Sequence, residues 1–243
     1  MARTFVVSDV HGYPEIIENA LENGRFDSAS DRLVFAGDVV DRGGGVEECF
    51  ELLDRFSATC LLGNHDMAIL VGYHIPDQDR ENQRFQDRLR ARFLGNGTEG
   101  KWQVVCCVDG VVISHAGVSA AYDALLAEEC GGDPAVLAAL LNDQTRRAVE
   151  QELATGWYDE GGVLGRCGPL RYRRFECRGL GLSERFEQIV GRSPPSERLG
   201  QHVHMIDPVV HREPRAGLSD PGRYRYAVIE NGSVQLLHGS LSD

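Results

Sequence analysis

Three short apolar runs in the first third of the chain each end on a turn built from glycine and metal-ligating residue types. Residues 4–8 run into Asp9-Val10-His11-Gly12, residues 33–36 into Gly37-Asp38-Val39-Val40-Asp41-Arg42-Gly43, and residues 60–62 into Gly63-Asn64-His65-Asp66. Between them, residues 14–21 place Ile16, Ile17, Ala20 and Leu21 at helical spacing, and residues 46–56 are amphipathic through Phe50, Leu53 and Phe56. Another helix is expected from about His65. Short apolar strands separated by helices predict a parallel sheet with crossover connections. In such sheets ligands bind at the carboxyl ends of the strands, so the three turns are expected to meet at one edge. A fourth turn, Ser114-His115-Ala116-Gly117, also follows an apolar run.

The remainder is less regular. Residues 77–94 are polar and charged with scattered aromatics, which predicts an exposed helix face or a lid. Residues 102–108 and 111–114 read as strands joined by Asp109-Gly110, a strong hairpin signal. Residues 119–155 read as helical, broken at Gly131-Gly132-Asp133-Pro134, and 156–183 as a Gly- and Arg-rich loop. Further strands are expected at 186–190, 202–206, 224–229 and 234–237, the last two joined by Asn231-Gly232. With no repeat or linker, residues 1–243 read as one domain carrying a helical insertion or cap at about 67–100 and 119–160. A hydrophobic content of 42% is enough to bury a core.

The net charge of −12 argues against a nucleic-acid partner, which calls for clustered Lys and Arg. It leaves phosphate substrates open, because a metal centre inverts the local field. No apolar run reaches the roughly 20 residues that span a bilayer, and residues 3–9 turn polar too soon for a signal peptide. The seven cysteines are odd in number and lack Cys-x-x-Cys spacing, which predicts reduced thiols in a cytoplasmic protein.

The ligand chemistry follows from the residue types. Carboxylates, an amide and imidazoles form an oxygen/nitrogen donor set suited to manganese first, with iron or zinc as alternatives. Asp9 and His11, two apart in an extended segment, can be aimed at one ion by a turn. Asp38 can bridge two ions, and Asn64 with His115 can serve the second. Two ions about 3.5–4 Å apart would clamp a phosphoryl oxygen and acidify a water.

These segments, in this order, resemble the calcineurin-like metallophosphoesterases. Within them, Gly37-Asp38-Val39-Val40-Asp41-Arg42-Gly43 resembles the phosphoprotein-phosphatase branch, which holds bacterial protein phosphatases and symmetrical diadenosine tetraphosphatases. The resemblance is firm over residues 4–67, includes 112–117, and is looser from 160 to 210. It implies an α/β fold, a four-layer αββα sandwich of mixed sheets. It implies two divalent metal ions, the first held by Asp9, His11 and Asp38 and the second by Asp38, Asn64 and His115. Arg42 would bind phosphate, His65 would protonate the leaving oxygen, and Asp41 would support the His65 imidazolium. Gly168-Pro169-Leu170-Arg171-Tyr172-Arg173 resembles a segment that supplies a further phosphate-binding arginine, here Arg173. The expected activity is hydrolysis of phosphomonoesters, phosphoserine and phosphothreonine included. Dinucleoside polyphosphate hydrolysis is the alternative, and a catalytically impaired phosphate-binding scaffold the reading from another class. The expected partners are a phosphorylated small molecule, nucleotide or phosphoprotein, with no nucleic acid and no membrane.

One stretch departs from the branch's pattern. Where it carries Gly-His-Thr/Ser-Pro after a strand, this chain has Gly191-Arg192-Ser193-Pro194, and a guanidinium cannot ligate a metal. A rival register takes Gly200-Gln201-His202-Val203-His204 as the ligand-bearing segment and makes His202 a metal ligand.

Overall fold

The computed structural model describes residues 2–75, 78–95, 102–157, 162–173, 176–177, 179–191, 200–206 and 223–241. The strand β1 (Thr4–Val7) pairs in parallel with β2 (Arg32–Phe35), and β2 in parallel with β3 (Thr59–Cys60). The crossovers are α1 (Pro14–Asn23), with proline in its first turn where no amide is missed, and α2 (Val46–Arg55). Much later in the chain, β8 (Arg223–Glu230) returns to lie antiparallel to β1, and β9 (Ser233–Ser240) folds back on β8. This gives a sheet of order β3-β2-β1-β8-β9.

A second sheet is built from β4 (Val105–Val108), β5 (Val111–Ser114), β6 (Gln188–Val190) and β7 (Val203–Met205), in that order. Its first pair is antiparallel and the other two are parallel. Both hairpins turn on two residues of positive φ, Asp109 (50°) with Gly110 (82°) and Asn231 (51°) with Gly232 (76°), as a tight two-residue turn requires.

Strand alternation sorts the apolar residues into layers. Val6, Val34, Leu61, Ala227 and Ile229 of the first sheet meet Cys106, Val111, Ile113, Ile189 and Ile206 of the second. Phe5, Val7, Leu33 and Phe35 belong instead to the core shared with Ile16, Ile17, Phe50 and Leu53 of α1 and α2. On the outer side of the second sheet lies α6 (Pro134–Thr155), whose Leu137, Ala138 and Leu141 join Val105 and Val112. The order helix, sheet, sheet, helix is the expected four-layer sandwich. Strands buried on both faces explain why β1 and β5 are each apolar at three consecutive positions, with Thr4 and Ser114 also buried.

Three features differ from expectation. The polar stretch 77–94 is a solvated face on one side only: a 3₁₀ turn, Arg80–Phe85, leads into α4 (Gln86–Leu94), with Glu81, Gln83, Arg84 and Asp87 exposed but Asn82, Phe85, Leu89, Arg92 and Phe93 buried. Arg92 can be buried because its guanidinium grips Asp54 with two hydrogen bonds of 2.7 and 2.6 Å. The strand expected at 102–108 begins only at Val105, with Trp102 packed in the core ahead of it. Not all cysteines are thiols: Cys167 and Cys177 form a disulfide with Cα atoms 5.4 Å apart, while Cys49, Cys60, Cys106, Cys107 and Cys130 are free. Among the described residues no helix is long and apolar enough to cross a membrane.

Candidate active site

The turns after β1 and β2 are zipped together by their backbones. Asp9 N–H donates to Gly37 (2.8 Å), His11 N–H to Asp38 (3.0 Å) and Gly12 N–H to Val39 (2.9 Å), and Gly43 N–H returns to His11 (2.8 Å). Five residues there adopt left-handed backbone: Asp9 (φ 51°), His11 (44°), Asp38 (62°), Asp41 (74°) and Arg42 (67°).

The third turn is joined by Asp66, a residue that the sequence reading passed over. It sits in the first turn of α3 (Asn64–Val71), fully buried. Its carboxylate accepts from the amides of Gly63 (2.9 Å), Asp38 (2.8 Å), Val39 (3.0 Å) and Val40 (3.3 Å). Burial and the neighbouring Asp38 charge push the Asp66 carboxyl up to about 7. The amides oppose that shift, and as pure donors they favour the ionised form. Only an acidic residue three places after the helix-capping glycine marked it in the sequence. Asp66→Ala strands several buried amides at once, each worth roughly 1–3 kcal/mol. It is expected to lower unfolding stability by about 3 kcal/mol or more in a urea titration. A loss under about 1 kcal/mol would show that the two loops hold together without it.

The candidate ligands converge. Atoms of Asp9, Asp38 and His115 lie within 4.8 Å of one another, as do atoms of His11, Asp38 and His65, all buried. Asp38 belongs to both groups, as expected of a bridging carboxylate. Its Oδ2 is 3.6 Å from His11 Nε2 and 3.4 Å from His115 Nε2, and its Oδ1 accepts from the His65 amide at 2.9 Å. Space for that carboxylate depends on Gly63, where a Cβ would come within 2.0 Å of Asp38 Oδ1.

The donor set fits divalent cations. His11 Nδ1 is 2.7 Å from the Val40 carbonyl and His115 Nδ1 is 3.1 Å from the Ala36 carbonyl. A carbonyl only accepts, so both imidazoles donate from Nδ1 and turn an Nε2 lone pair inward. Beside His115 Nε2 lie Asn64 Oδ1 at 3.1 Å and Asp38 Oδ2 at 3.4 Å. Lone pairs facing lone pairs call for a cation, and backbone carbonyls fixing the outer ring nitrogens are the usual support for imidazole ligands.

His65 and Asp41 form a buried pair, Nδ1 to Oδ2 2.6 Å. Burial opposes charge on the imidazole, but the Asp38 charge and the Asp41 hydrogen bond outweigh it, so the His65 pKa is raised. The His65 ring packs edge-on to His11 with centroids 4.9 Å apart. Asp41 is itself fixed from the 77–94 segment, by the Asp79 amide (3.0 Å) and the Asn82 side chain (3.2 Å), a connection with no sequence signature. Arg42, Asn64, His65 and Arg173 line one cavity of about 330 Å³, together with Arg171, Glu152, Met67, Tyr73 and Leu170. The loop carrying both arginines is anchored by the Ala116 amide to Pro169 (2.7 Å), by the Ser119 hydroxyl to Cys167 (2.9 Å) and by the disulfide.

The rival register does not survive. His202 stands one residue before β7, where Val203 is level with Gln188 at the start of β6. That is the end of the strands opposite the site, and there His202 and His204 bond to Glu187 at 2.7 Å each. The other register has support: a Cβ on Gly191 would lie 2.0 Å from Ser8 Oγ and 2.9 Å from Asp9 Oδ2, so β6 exits against the candidate ligands. Arg192 lies outside the described residues.

A family model described as calcineurin-like phosphoesterase matches residues 2–182. A symmetrical bis(5'-nucleosyl)-tetraphosphatase of Sodalis glossinidius (strain morsitans) is 31% identical over 133 residues, 52% of this chain and 47% of that protein. One from Erwinia tasmaniensis is 27% identical over 171 residues, 67% of this chain and 62% of that one. The chain thus spans less than two thirds of the length of these curated relatives. A solved point mutant of a cold-active protein tyrosine phosphatase superposes over 99% of this chain and 80% of its own, with a TM-score of 0.60 at 18% identity. That likeness is one of fold.

Proposed function

Because the chain belongs to the calcineurin-like phosphoesterases, we propose that it hydrolyses phosphate esters, phosphomonoesters first among them. The observation that carries this reading is the buried His65–Asp41 pair, whose imidazole is raised in pKa and lines the cavity with Arg42 and Asn64. A binding scaffold has no need of a leaving-group acid.

Asp9, His11 and Asp38 would hold one divalent cation, and Asp38, Asn64 and His115 a second, with manganese favoured by the oxygen-rich donor set. The chemistry such ions supply when bound is polarisation of the phosphoryl group and acidification of water. The rest is done by the chain. Arg42 forks onto phosphoryl oxygens. His65, whose raised pKa favours the protonated ring, donates a proton to the departing oxygen, and Asp41 keeps the ring oriented through Nδ1–H. The 3₁₀ turn holds Asp41 in place through Asp79 and Asn82.

A second reading, hydrolysis of dinucleoside polyphosphates, is supported by Arg171 and Arg173 beside Arg42 in the same cavity and by the names of the curated relatives. Three guanidiniums exceed the need of one phosphoryl group and match a chain of several. Chelator-treated protein is expected to lose turnover of p-nitrophenyl phosphate and to regain it with added Mn²⁺. Turnover that persists after complete metal removal contradicts the proposal. Relative kcat/KM for a phosphoserine peptide and a bis-nucleosyl tetraphosphate separates the two substrate classes.

A further inference from the structure

The inner stripe of α6 runs Leu137, Ala138, Leu141, Thr145, Val149 and then Glu152. The steps of one, three and four residues are those of a core-facing helix surface. Five positions carry apolar or hydroxyl side chains, and the sixth carries an acid. Glu152 is only 5% exposed. Its Oε1 is shielded from solvent and hydrogen-bonded to nothing among the described residues. It also lies in the last turn of the helix, where the aligned backbone dipoles disfavour negative charge. A buried acid with one oxygen unpaired, at the unfavourable end of a helix, is costly for the fold. A sequence breaks its own local pattern in this way most readily where function requires it.

The surroundings say what the group could meet. Glu152 lines the cavity that holds Arg42, Asn64 and His65, and with Leu164 it also lines a neighbouring cavity bounded by Trp157 and Val163. It therefore stands at the junction of the two, beyond the phosphoryl-binding residues. The walls on the way are apolar or aromatic: Met67, Val71, Tyr73, Ile75, Leu164 and Leu170. A leaving group entering here meets a largely apolar slot whose acceptors are Glu152, Glu176 and the Tyr73 hydroxyl; Glu176 lies 3.9 Å from Arg166, whereas the Oε1 of Glu152 is buried and unpaired among the described residues.

We propose that Glu152 is the specificity-determining residue of the leaving-group pocket. It accepts a hydrogen bond from an N–H donor on an apolar ring, the chemistry of a nucleobase bearing an exocyclic amine. This rests on reading the cavity as the substrate site of a phosphoesterase. An amine-bearing base satisfies the orphaned oxygen, whereas a base with neither that amine nor a ring N–H beside it leaves the oxygen unpaired. Sites that hydrogen-bond a substrate group reject analogues lacking it strongly, because the protein's own polar atom is then left unpaired.

The test needs no turnover. Ligand-induced shifts in Tm and the derived Kd are measured on the metal-loaded protein with adenosine 5'-phosphate and purine-riboside 5'-phosphate, which differ only in the exocyclic amine. Wild type is expected to favour the amine by on the order of tenfold or more. Glu152→Gln, whose amide can also donate, is expected to flatten or invert that ratio, and Glu152→Leu to abolish it. Comparing the ratio within each variant cancels any general loss of affinity. Glu152→Leu without ligand is also expected to melt higher than wild type, since it removes a buried acid without removing volume. Equal affinity of wild type for the two nucleotides, or an unchanged ratio in Glu152→Gln, overturns the proposal. Failure of p-nitrophenyl phosphate hydrolysis with intact discrimination would instead overturn the phosphoesterase reading and leave a nucleotide-binding cleft.

Discussion

Asp38→Asn is expected to remove nearly all activity, roughly 10³-fold or more, a loss at or above that for deleting one preorganised electrostatic group. The substitution is almost isosteric, and the surroundings make it severe. One oxygen of Asp38 accepts the His65 amide, and the other faces the Nε2 atoms of His11 and His115. An amide cannot serve both sides: turning its NH₂ outward sets two donors against each other at His65, and turning it inward replaces the shared charge with protons. The side chain sits where a Cβ on Gly63 would collide with it, so it packs close against that glycine's backbone. Metal content measured by mass spectrometry should fall with activity. A variant holding two equivalents of metal and turning over at near the wild-type rate would remove Asp38 from the centre of the site.

His65→Ala is expected to slow kcat by roughly 10²–10⁴-fold, the usual worth of a positioned general acid. The structure adds a condition on how that loss varies. The raised pKa favours the protonated ring, and the Asp41 bond commits Nδ1, so the other nitrogen is the one able to donate. A substrate that departs as a stable anion has little use for that proton. The loss should therefore be greatest for alkyl phosphates and smaller for p-nitrophenyl phosphate, with metal content unchanged. Equal losses across leaving groups would assign His65 to binding or to metal support, and its proximity to His11 and Asp38 makes the second a real alternative outcome.

The candidate site was legible in the sequence where its chemistry is local. Asp9, His11, Asp38, Asn64, His65 and His115 each end or follow an apolar strand, and strand-end placement alone brings them to one edge. Arg42 and Arg173 also reach one cavity. What stayed hidden depends on contacts between segments far apart in the chain. Asp66 looks like an ordinary helix-start acid until its bonds to residues 38–40 are seen. Asp79 and Asn82 sit in a stretch whose composition resembles solvated surface, and only the fold brings them to Asp41. Cys167 and Cys177 lack a recognisable spacing because the intervening loop, not a short motif, brings their Cα atoms together. The first sheet was half visible: its parallel strands follow from the alternation of strand and helix, but the return of β8 beside β1 joins residues more than two hundred positions apart.

The left-handed backbone at Asp9, His11, Asp38, Asp41 and Arg42 bears on how such a protein changes over evolutionary time. Outside glycine this conformation disfavours an L-residue by roughly 1–2 kcal/mol, less for Asp, which tolerates it best. Five such positions together approach the lower end of a domain's whole stability, about 5–15 kcal/mol. Asp66 and the backbone zipper are what keep the loops wound against that tendency. A lineage released from selection on chemistry would gain stability by admitting glycine at these same positions, so its ligands would erode before its core. A descendant that has kept the two sheets and lost these side chains would be the fold at rest.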